Sequence, residues 1–103
     1  MPYERVMGMQ VDDADGYANY RAGMEPILLR YGGSFRYDFW IGETLRTESE
    51  RKFNRLFVIR FPDRESNERF FNDPEYQAIR KRYFDPSVSF RVMIADYEIG
   101  DSG

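Results

Sequence analysis

The chain contains no cysteine and no histidine, and these two absences narrow its chemistry more than any motif does. Without cysteine there are no disulfides and no thiolate nucleophiles, and without either residue type the usual ligands of zinc, copper and haem iron are missing. Histidine is also the side chain that most often transfers protons near neutral pH. We therefore expect no metal and no cofactor, and any catalysis would use other side chains or the reactivity of the substrate.

Patterns typical of membrane and nucleic-acid proteins are also missing. No apolar run approaches the roughly 20 residues of a membrane-spanning helix, and charges interrupt the N-terminal segment where a signal peptide would be apolar. The 15 basic residues are outnumbered by 18 acidic ones, so there is no basic excess to neutralise phosphates. These features favour a cytoplasmic protein that binds neither membranes nor nucleic acid.

The composition suits one small folded domain covering residues 1–103. Eight tyrosines, nine phenylalanines and one tryptophan supply large side chains for a core. Alternating apolar residues predict the strands Tyr3–Val11, Ser34–Ile41, Phe53–Phe61 and Val88–Tyr97. Apolar spacings of three and four, together with capping residues, predict helices that begin at Asp13 and Asp63, a restart at Asp73-Pro74, and an end near Phe84. Pro26 should disturb the first helix, and residues 101–103 should form a frayed tail.

The order strand, helix, strand, strand, helix, strand predicts a ferredoxin-like α+β fold, in which both helical regions cover one face of a four-stranded antiparallel sheet. The third strand places Leu56 and Val58 opposite Phe57, Ile59 and Phe61, so it is apolar on both faces. A sheet with one solvated face should alternate more cleanly. We therefore expect a homodimer, in which two sheets pack face to face into a barrel.

Simple alternation also predicts the two faces of the second and fourth strands. In the second strand, the aromatic residues Phe35, Tyr37 and Phe39 should share one face, with Arg36, Asp38 and Trp40 on the other. In the fourth strand, Phe90, Val92 and Ile94 should lie opposite Arg91, Met93 and Ala95. Residues 42–52 are polar and are predicted to form a long hairpin loop.

Several short motifs resemble the domain of unknown function 1330 family, which consists of small dimeric α/β-barrel proteins. The similarity covers about residues 6–98. It is carried by Tyr31-Gly32-Gly33 before a strand, by Phe61-Pro62-Asp63, and most specifically by the block from Phe71 to Gln77. The resemblance implies a dimeric barrel but no established reaction. Related barrels include cofactor-independent monooxygenases, small isomerases and haem-binding proteins, and the last usually use an axial histidine that this chain lacks.

Compared with that family, two charges are exchanged between neighbouring strands. Family members often carry arginine near the position of Asp38 and glutamate near that of Arg60. The resemblance therefore suggests that Asp38 and Arg60 form a pair across the sheet, with both signs reversed.

Charged and aromatic residues on predicted strands define a candidate pocket in the barrel, formed by Arg36, Asp38, Trp40, Arg60 and Tyr76. In a functional interpretation, Arg36 or Arg60 binds a carboxylate or enolate, Asp38 accepts a proton, and Trp40 forms an aromatic wall. The alternative is that these residues form salt bridges at a dimer interface. Similarly, five tyrosines are candidates to supply hydroxyl groups to a pocket or to pack in the core, namely Tyr17, Tyr20, Tyr31, Tyr76 and Tyr83.

Two functions are consistent with these observations. The first is a cofactor-independent enzyme, resembling the monooxygenases or isomerases, that acts on a small organic compound in the cavity of the barrel. The second is a dimeric protein that binds a small molecule or a partner without catalysis. The enzyme requires a cavity of about 300 Å3 or more, whereas a fully packed barrel without a cavity would favour the second function.

Overall fold

The computed structural model describes residues 1–100, and the tail predicted to fray lies outside them. The predicted order of elements is confirmed. The strands are β1 (Tyr3–Val11), β2 (Ser34–Trp40), β3 (Arg55–Phe61) and β4 (Val88–Glu98). The helices are α1 (Ala14–Arg30), α2 (Arg64–Phe71) and α3 (Pro74–Ile79), and α3 continues directly into a π-helix (Arg80–Phe84). Among the described residues, no helix combines the length and the apolar character needed to cross a membrane.

The four strands form one antiparallel sheet in the order β2-β3-β1-β4. The helices pack against one face of this sheet, which we call the helix face, and the opposite face is called the open face. This is the predicted ferredoxin-like arrangement. It places β1 and β3 at the centre, so residues of these two strands have strand neighbours on both sides.

Aspartate side chains start each of the three α-helices, as predicted. Asp13 accepts a hydrogen bond from the backbone N–H of Gly16, and Asp63 accepts one from Ser66. Asp73 accepts from the first two free N–H groups of α3. These bonds satisfy donors that have no partner inside the helix. The acidic residues at these positions therefore have a structural role.

The end of α1 is fixed by glycine, whereas Pro26 does not interrupt the helix. Pro26 lies inside α1, which continues to Arg30. Gly32 then adopts a φ of 74°, a left-handed conformation that residues with a side chain adopt only at a cost. The backbone N–H of Gly33 donates to the carbonyl of Leu28, which satisfies a free acceptor at the helix end.

β-Bulges in both edge strands change the predicted faces. In β2 the register shifts between Phe35 and Tyr37, so Arg36 is an extra residue. Phe35 and Asp38 consequently share the helix face, and the prediction that they lie on opposite faces is wrong. In β4 the register shifts between Met93 and Ala95, so Ile94 is an extra residue. Met93 and Ala95 therefore lie on opposite faces, although the prediction placed them on the same face. A bulge adds one residue to one strand only, so every later side chain changes sides.

The main core lies between the helix face and the helices. The buried face of α1 consists of the residues predicted from their spacing, Tyr17, Tyr20, Met24, Ile27 and Leu28. It packs against Phe57, Ile59 and Phe61 of β3. On the open face, the loop between β2 and β3 contributes Phe53, whose ring lies where a Cβ on Gly8 would be. The aromatic residues of the chain thus form most of the core.

Candidate functional site

A cavity of about 480 Å3 lies between the helical layer and the sheet. Its apolar wall includes Met7, Met9, Met24, Phe35, Phe57, Ile59, Phe71, Phe84 and Met93. The sequence predicted a pocket between two sheets, whereas this cavity lies on the helix face within one chain. Residues of α1, α2, α3 and the π-helix line the cavity from one side, and residues of all four strands line it from the other.

Three of the five candidate tyrosines line this cavity, namely Tyr17, Tyr20 and Tyr76. The hydroxyl groups of Tyr20 and Tyr76 are hydrogen-bonded at 2.8 Å. Burial raises the pKa of Tyr20 well above its usual value, and burial also raises the pKa of Tyr76. Both phenols therefore remain protonated at neutral pH, and the pair can donate a hydrogen bond to a ligand oxygen.

The π-helix brings a basic residue and an aromatic residue to the cavity together. The backbone N–H of Asp85 donates to the carbonyl of Arg80, which closes the wide turn. Arg80 and Phe84 both line the cavity, and the ring of Phe84 lies 5.0 Å from that of Tyr20 between centroids. π-helical turns occur frequently at functional sites.

Four arginines line the cavity, namely Arg5, Arg21, Arg80 and Arg91, whereas Glu68 is the one carboxylate in the wall. Arg80 lies 3.8 Å from Asp85, and Arg21 pairs with Asp38. Within residues 1–100, Arg5 and Arg91 have no carboxylate at salt-bridge distance. The Arg5 side chain donates to the Tyr3 hydroxyl at 3.0 Å. The cavity therefore has an excess of positive charge, although the whole chain carries a net charge of −3.

A compact ionic cluster borders the cavity at the edge strand β2. Arg55 donates twice to Asp38, at 2.7 Å each, and Arg21 donates to it at 3.1 Å. The guanidinium of Arg21 also stacks 3.7 Å from the centre of the Phe35 ring. Burial alone would raise the pKa of Asp38, but the hydrogen bonds and charges of both arginines outweigh it and hold this pKa below its ordinary value. Asp38 is thus a weak base.

Asn67 is a buried polar residue in the cavity wall, next to Glu68. It lies on α2, its exposed fraction is 3%, and it lines the cavity. Its Oδ1 atom is fully buried and has no hydrogen-bond partner among the described residues. Buried amide groups are almost always hydrogen-bonded, so this oxygen is an exception within the described part of the chain.

The five residues of the predicted pocket are distributed over both faces of the sheet. Tyr76 lines the cavity. Asp38 lies on the helix face beside it, and the ring of Trp40 lies 4.3 Å from the Arg55 guanidinium. Arg36 and Arg60 point to the open face, where both donate to Glu4. The structure therefore brings Asp38 and Trp40 together around one arginine and separates them from Arg36 and Arg60.

All four strands contribute to a cluster around Glu4, which is 4% exposed. Its carboxylate accepts hydrogen bonds from Arg36 at 2.9 Å, Arg60 at 2.8 Å and the Tyr97 hydroxyl at 2.7 Å. The predicted pairing of Asp38 with Arg60 is therefore wrong. The bulge in β2 turns Asp38 to the helix face, whereas Arg60 remains on the open face and finds its partner on β1.

Arg5, Arg91 and Asn67 were not among the predicted site residues, although the sequence contains a signal for each. Period-two alternation places Arg5 on the same face as Met7 and Met9, and a charged residue on the apolar face of a strand is unusual. Arg91 has the same relation to Met93. Asn67 lies three residues before Phe70 on α2, and the two share the buried face of the helix.

Solved structures with the same fold include proteins of several descriptions. A protein of unknown function from Rhodopseudomonas palustris superposes with a TM-score of 0.81 at 16% identity, covering 97% of this chain and 83% of its own. A dimeric protein of unknown function with a ferredoxin-like fold, from Bacteroides fragilis, gives 0.60 at 13% identity, covering 95% and 96%. SnoaB, a cofactor-independent oxygenase from Streptomyces nogalater, gives 0.63 at 15% identity, covering 97% and 94%.

At these identities the similarity establishes the fold alone. No protein with a curated description matches the sequence. A family model does match, over residues 5–96, which include all four strands except the ends of β1 and β4. Its description is domain of unknown function (DUF1330), in agreement with the resemblance seen in the motifs. This protein belongs to the DUF1330 family.

Proposed function

We propose that this protein binds a small, mainly apolar organic anion in the cavity between the helical layer and the sheet. The observation that carries the proposal is that two arginines of the wall, Arg5 and Arg91, have no carboxylate at salt-bridge distance within residues 1–100, whereas Arg21 and Arg80 are paired with Asp38 and Asp85. Arg5 is half-buried and Arg91 is exposed, so both can contact a ligand, and a carboxylate, phenolate or enolate is the partner whose planar geometry fits a guanidinium group. The volume of about 480 Å3 is within the range of small-molecule sites.

The apolar part of the ligand is inferred from the rest of the wall. Methionine and phenylalanine side chains from the sheet and both helical regions form nearly all of the apolar wall. Methionine adapts to irregular shapes, and aromatic rings stack well on a planar ligand. A compound with one aromatic ring or a short hydrocarbon chain attached to its anionic group suits this composition.

A second candidate function is conversion of the bound compound without a cofactor. It is supported by the hydrogen-bonded hydroxyls of Tyr20 and Tyr76, which can stabilise negative charge that develops on a substrate oxygen. The cofactor-independent oxygenase SnoaB shares the fold, which makes oxygen a reasonable co-substrate to test. Asp38 is a poor proton acceptor because its pKa is held low, so this candidate depends on an acidic substrate.

We also propose that the protein forms a homodimer through the open face. Tyr37 and Phe39 stack on that face with ring centroids 6.1 Å apart, and they are 54% and 52% exposed. Large aromatic side chains on a sheet face without a helical cover favour association with a second sheet. Two proteins with this fold are described as dimeric. In such a dimer, Arg36 and Arg60 lie between the two sheets.

The anion-binding proposal is tested by calorimetric titration with benzoate, phenylacetate and cinnamate. We expect at least one of these acids to bind, and Arg91→Ala to weaken its binding by about 10-fold or more, the effect of losing a charged hydrogen bond. Arg82→Ala is the control for Arg91→Ala, because it removes the same charge from the π-helix at a position outside the cavity wall. Equal losses in the two variants, or no binding of any acid, would contradict the proposal.

A further inference from the structure

We infer that Arg5 selects a carboxylate over a phenolate or an enolate in the cavity, and that Tyr3 and Asp96 are its positioning residues. The inference rests on the proposed binding of an organic anion and narrows the class of that anion. Arg5 lines the cavity, whereas Tyr3 and Asp96 lie outside its wall. The argument depends on which edge of the Arg5 guanidinium is occupied and which edge is free.

A chain of two hydrogen bonds connects Arg5 to Asp96 through the hydroxyl group of Tyr3. Nε of Arg5 donates to the hydroxyl oxygen of Tyr3 at 3.0 Å. That hydroxyl donates in turn to Oδ2 of Asp96 at 2.7 Å. Because the carboxylate takes the proton of the hydroxyl, the oxygen of Tyr3 keeps its lone pairs for Arg5. Tyr3 is 2% exposed, so water does not compete for these contacts.

The bulge in β4 brings Asp96 into this chain. Asp96 lies opposite Arg5 in the ladder between β4 and β1, and both are on the helix face. Regular alternation from Met93 would place Asp96 on the open face, but the extra residue Ile94 reverses its side. Arg64 of α2 also approaches the carboxylate, with Nη1 3.7 Å from Oδ2. The acceptor of the Tyr3 proton is therefore held from both the sheet and the helical layer.

This arrangement orients the Arg5 guanidinium and leaves its terminal nitrogens free. Nε is occupied by Tyr3, whereas Nη1 and Nη2 have no hydrogen-bond partner within residues 1–100. The ring of Phe71, which is part of the cavity wall, lies 5.3 Å from the guanidinium carbon. Arg5 is half-buried, so a ligand in the cavity can reach the free edge formed by the two terminal nitrogens.

The free edge of Arg5 matches the shape of a carboxylate. Its two parallel N–H groups can each donate to one oxygen of a carboxylate, which gives a bidentate contact. A phenolate or an enolate carries its charge on one oxygen and accepts only one such hydrogen bond in line. An arginine that is oriented before the ligand arrives loses less rotamer freedom on binding. Tyr3 and Asp96 therefore strengthen the contact that depends most on direction.

The test is calorimetric titration with 4-nitrobenzoate and 4-nitrophenolate, two anions of equal charge on the same ring, at a pH at which both are ionised. We expect the wild-type protein to bind the carboxylate about 10-fold or more tightly, the effect of one additional charged hydrogen bond. Arg5→Lys keeps the charge but not the paired donors, so it should abolish the preference. Tyr3→Phe should reduce the preference about threefold or more by weakening the carboxylate contact.

Tyr97→Phe is the matched control for Tyr3→Phe. It also removes a hydroxyl that donates to a carboxylate, that of Glu4 at 2.7 Å, but this contact is on the open face. The preference of Tyr97→Phe should stay within about twofold of the wild-type value. Urea unfolding of both variants records any loss of stability separately. A purely structural role of Tyr3 would lower stability without changing the ratio of the two affinities.

The outcomes separate this inference from the proposed function. If neither these anions nor the acids named above bind, both are wrong. If the two anions bind the wild-type protein equally, or the preference persists in Arg5→Lys, the inference is wrong, while the binding of an organic anion stands. An unchanged preference in Tyr3→Phe overturns the positioning role. The wild-type comparison requires no variant, and Asp96→Ala, at an exposed position, should also reduce the preference if Tyr3→Phe does not fold.

Discussion

The hydroxyl oxygens of Tyr20 and Tyr76 lie 2.8 Å apart and connect the first long helix to the short helix α3 across one side of the cavity. Their rings meet nearly edge to face, with centroids 6.2 Å apart. The pair is thus both a structural link and the main source of hydroxyl groups in the cavity. Its two roles can be separated by measuring stability and ligand binding in the same variants.

The two hydroxyls of this pair should make non-additive contributions to the free energy of unfolding. Tyr20→Phe leaves the Tyr76 hydroxyl without its partner, at a cost of about 1–3 kcal/mol in the free energy of unfolding. The double variant with Tyr76→Phe should therefore lose less stability than the sum of the two single variants. Urea unfolding measures all three, and Tyr83→Phe, at a half-buried tyrosine outside the cavity, is the control. Strict additivity would show that the hydroxyls are not coupled.

Asp38→Asn should destabilise the edge of the sheet. This change removes the carboxylate that holds Arg21 and Arg55 together, and Arg21 is itself buried against Phe35. We expect the free energy of unfolding to fall by about 2 kcal/mol or more, the usual effect of losing charged hydrogen bonds in a partly buried site. Thermal unfolding followed by circular dichroism measures the change. Glu75→Gln, which breaks an exposed pair with Arg30, is the matched control and should have little effect.

Stability should decrease in acid because several carboxylates have lowered pKa values in the folded protein, and Glu4 and Asp38 are the two at the centres of the ionic clusters. Burial alone would raise the pKa of Glu4, but hydrogen bonds from Tyr97 and Arg60 and the charges of Arg60 and Arg36 outweigh it. The pKa of Asp38 is lowered in the same way by its two arginines. The unfolded chain therefore binds protons at higher pH than the folded protein does.

The direction of the pH effect follows from this difference. The stabilisation is complete above about pH 5 and is lost as the pH falls from about 4 through the lower pKa values of the folded protein. Urea unfolding at a series of pH values should show this decrease, and Asp38→Asn and Glu4→Gln should each make it smaller. A decrease of the same size in both variants and the wild type would contradict the assignment.

A lysine on the open face should convert the proposed dimer to a monomer. Phe39→Lys places a charge in the apolar contact between two sheets, where it would lose its hydration. Leu29→Lys is the control, because Leu29 is 71% exposed on α1 and lies in the helical layer. Sedimentation equilibrium at micromolar concentration should give a dimer for the wild type and for Leu29→Lys. A stable wild-type monomer would contradict the dimer.

Gly32→Ala should destabilise the protein at the turn between α1 and β2. Gly32 has a φ of 74°, and a Cβ at this position would lie 2.7 Å from Cγ of Pro62. The left-handed conformation alone costs about 1–2 kcal/mol for a residue with a side chain. Chemical unfolding of Gly32→Ala should show at least this loss. Gly42→Ala, at a position with open space around it, is the control and should be nearly neutral.

The fold could be predicted because local signals in the sequence agree with one another. Asp13, Asp63 and Asp73 mark the helix starts, and the glycines after Tyr31 mark the end of α1. The apolar spacing of α1 gave its buried face correctly. Alternation was equally clear along β1 and β3, which lie in the centre of the sheet and pair on both sides without an irregularity between them.

The site was harder to predict because it depends on two irregularities that leave no clear mark in the sequence. The extra residue at Arg36 is neither glycine nor flanked by one, so nothing distinguishes it from a regular strand position. The residues around the register shift at Ile94 likewise contain no glycine that would indicate a bulge. Because the prediction assumed regular alternation, it assigned Asp38 to the wrong face of β2 and therefore to the wrong neighbours. It also gave no reason to place Arg91 and Met93 in a cavity.

The extra residues in β2 and β4 have a further consequence for how such a chain can change. Inserting one residue after Tyr37 into a regularly paired strand would carry Asp38 to the other side of the sheet and bring Phe39 inward, so one codon would exchange a charge for an aromatic ring beside the cavity. Deleting Arg36, in contrast, would only remove the bulge, because Asp38 already lies opposite Phe57. Insertions and deletions at the sheet margins thereby alter the chemistry of the interior without any substitution inside it. Two chains of this architecture with similar edge sequences can accordingly present different interiors to their ligands.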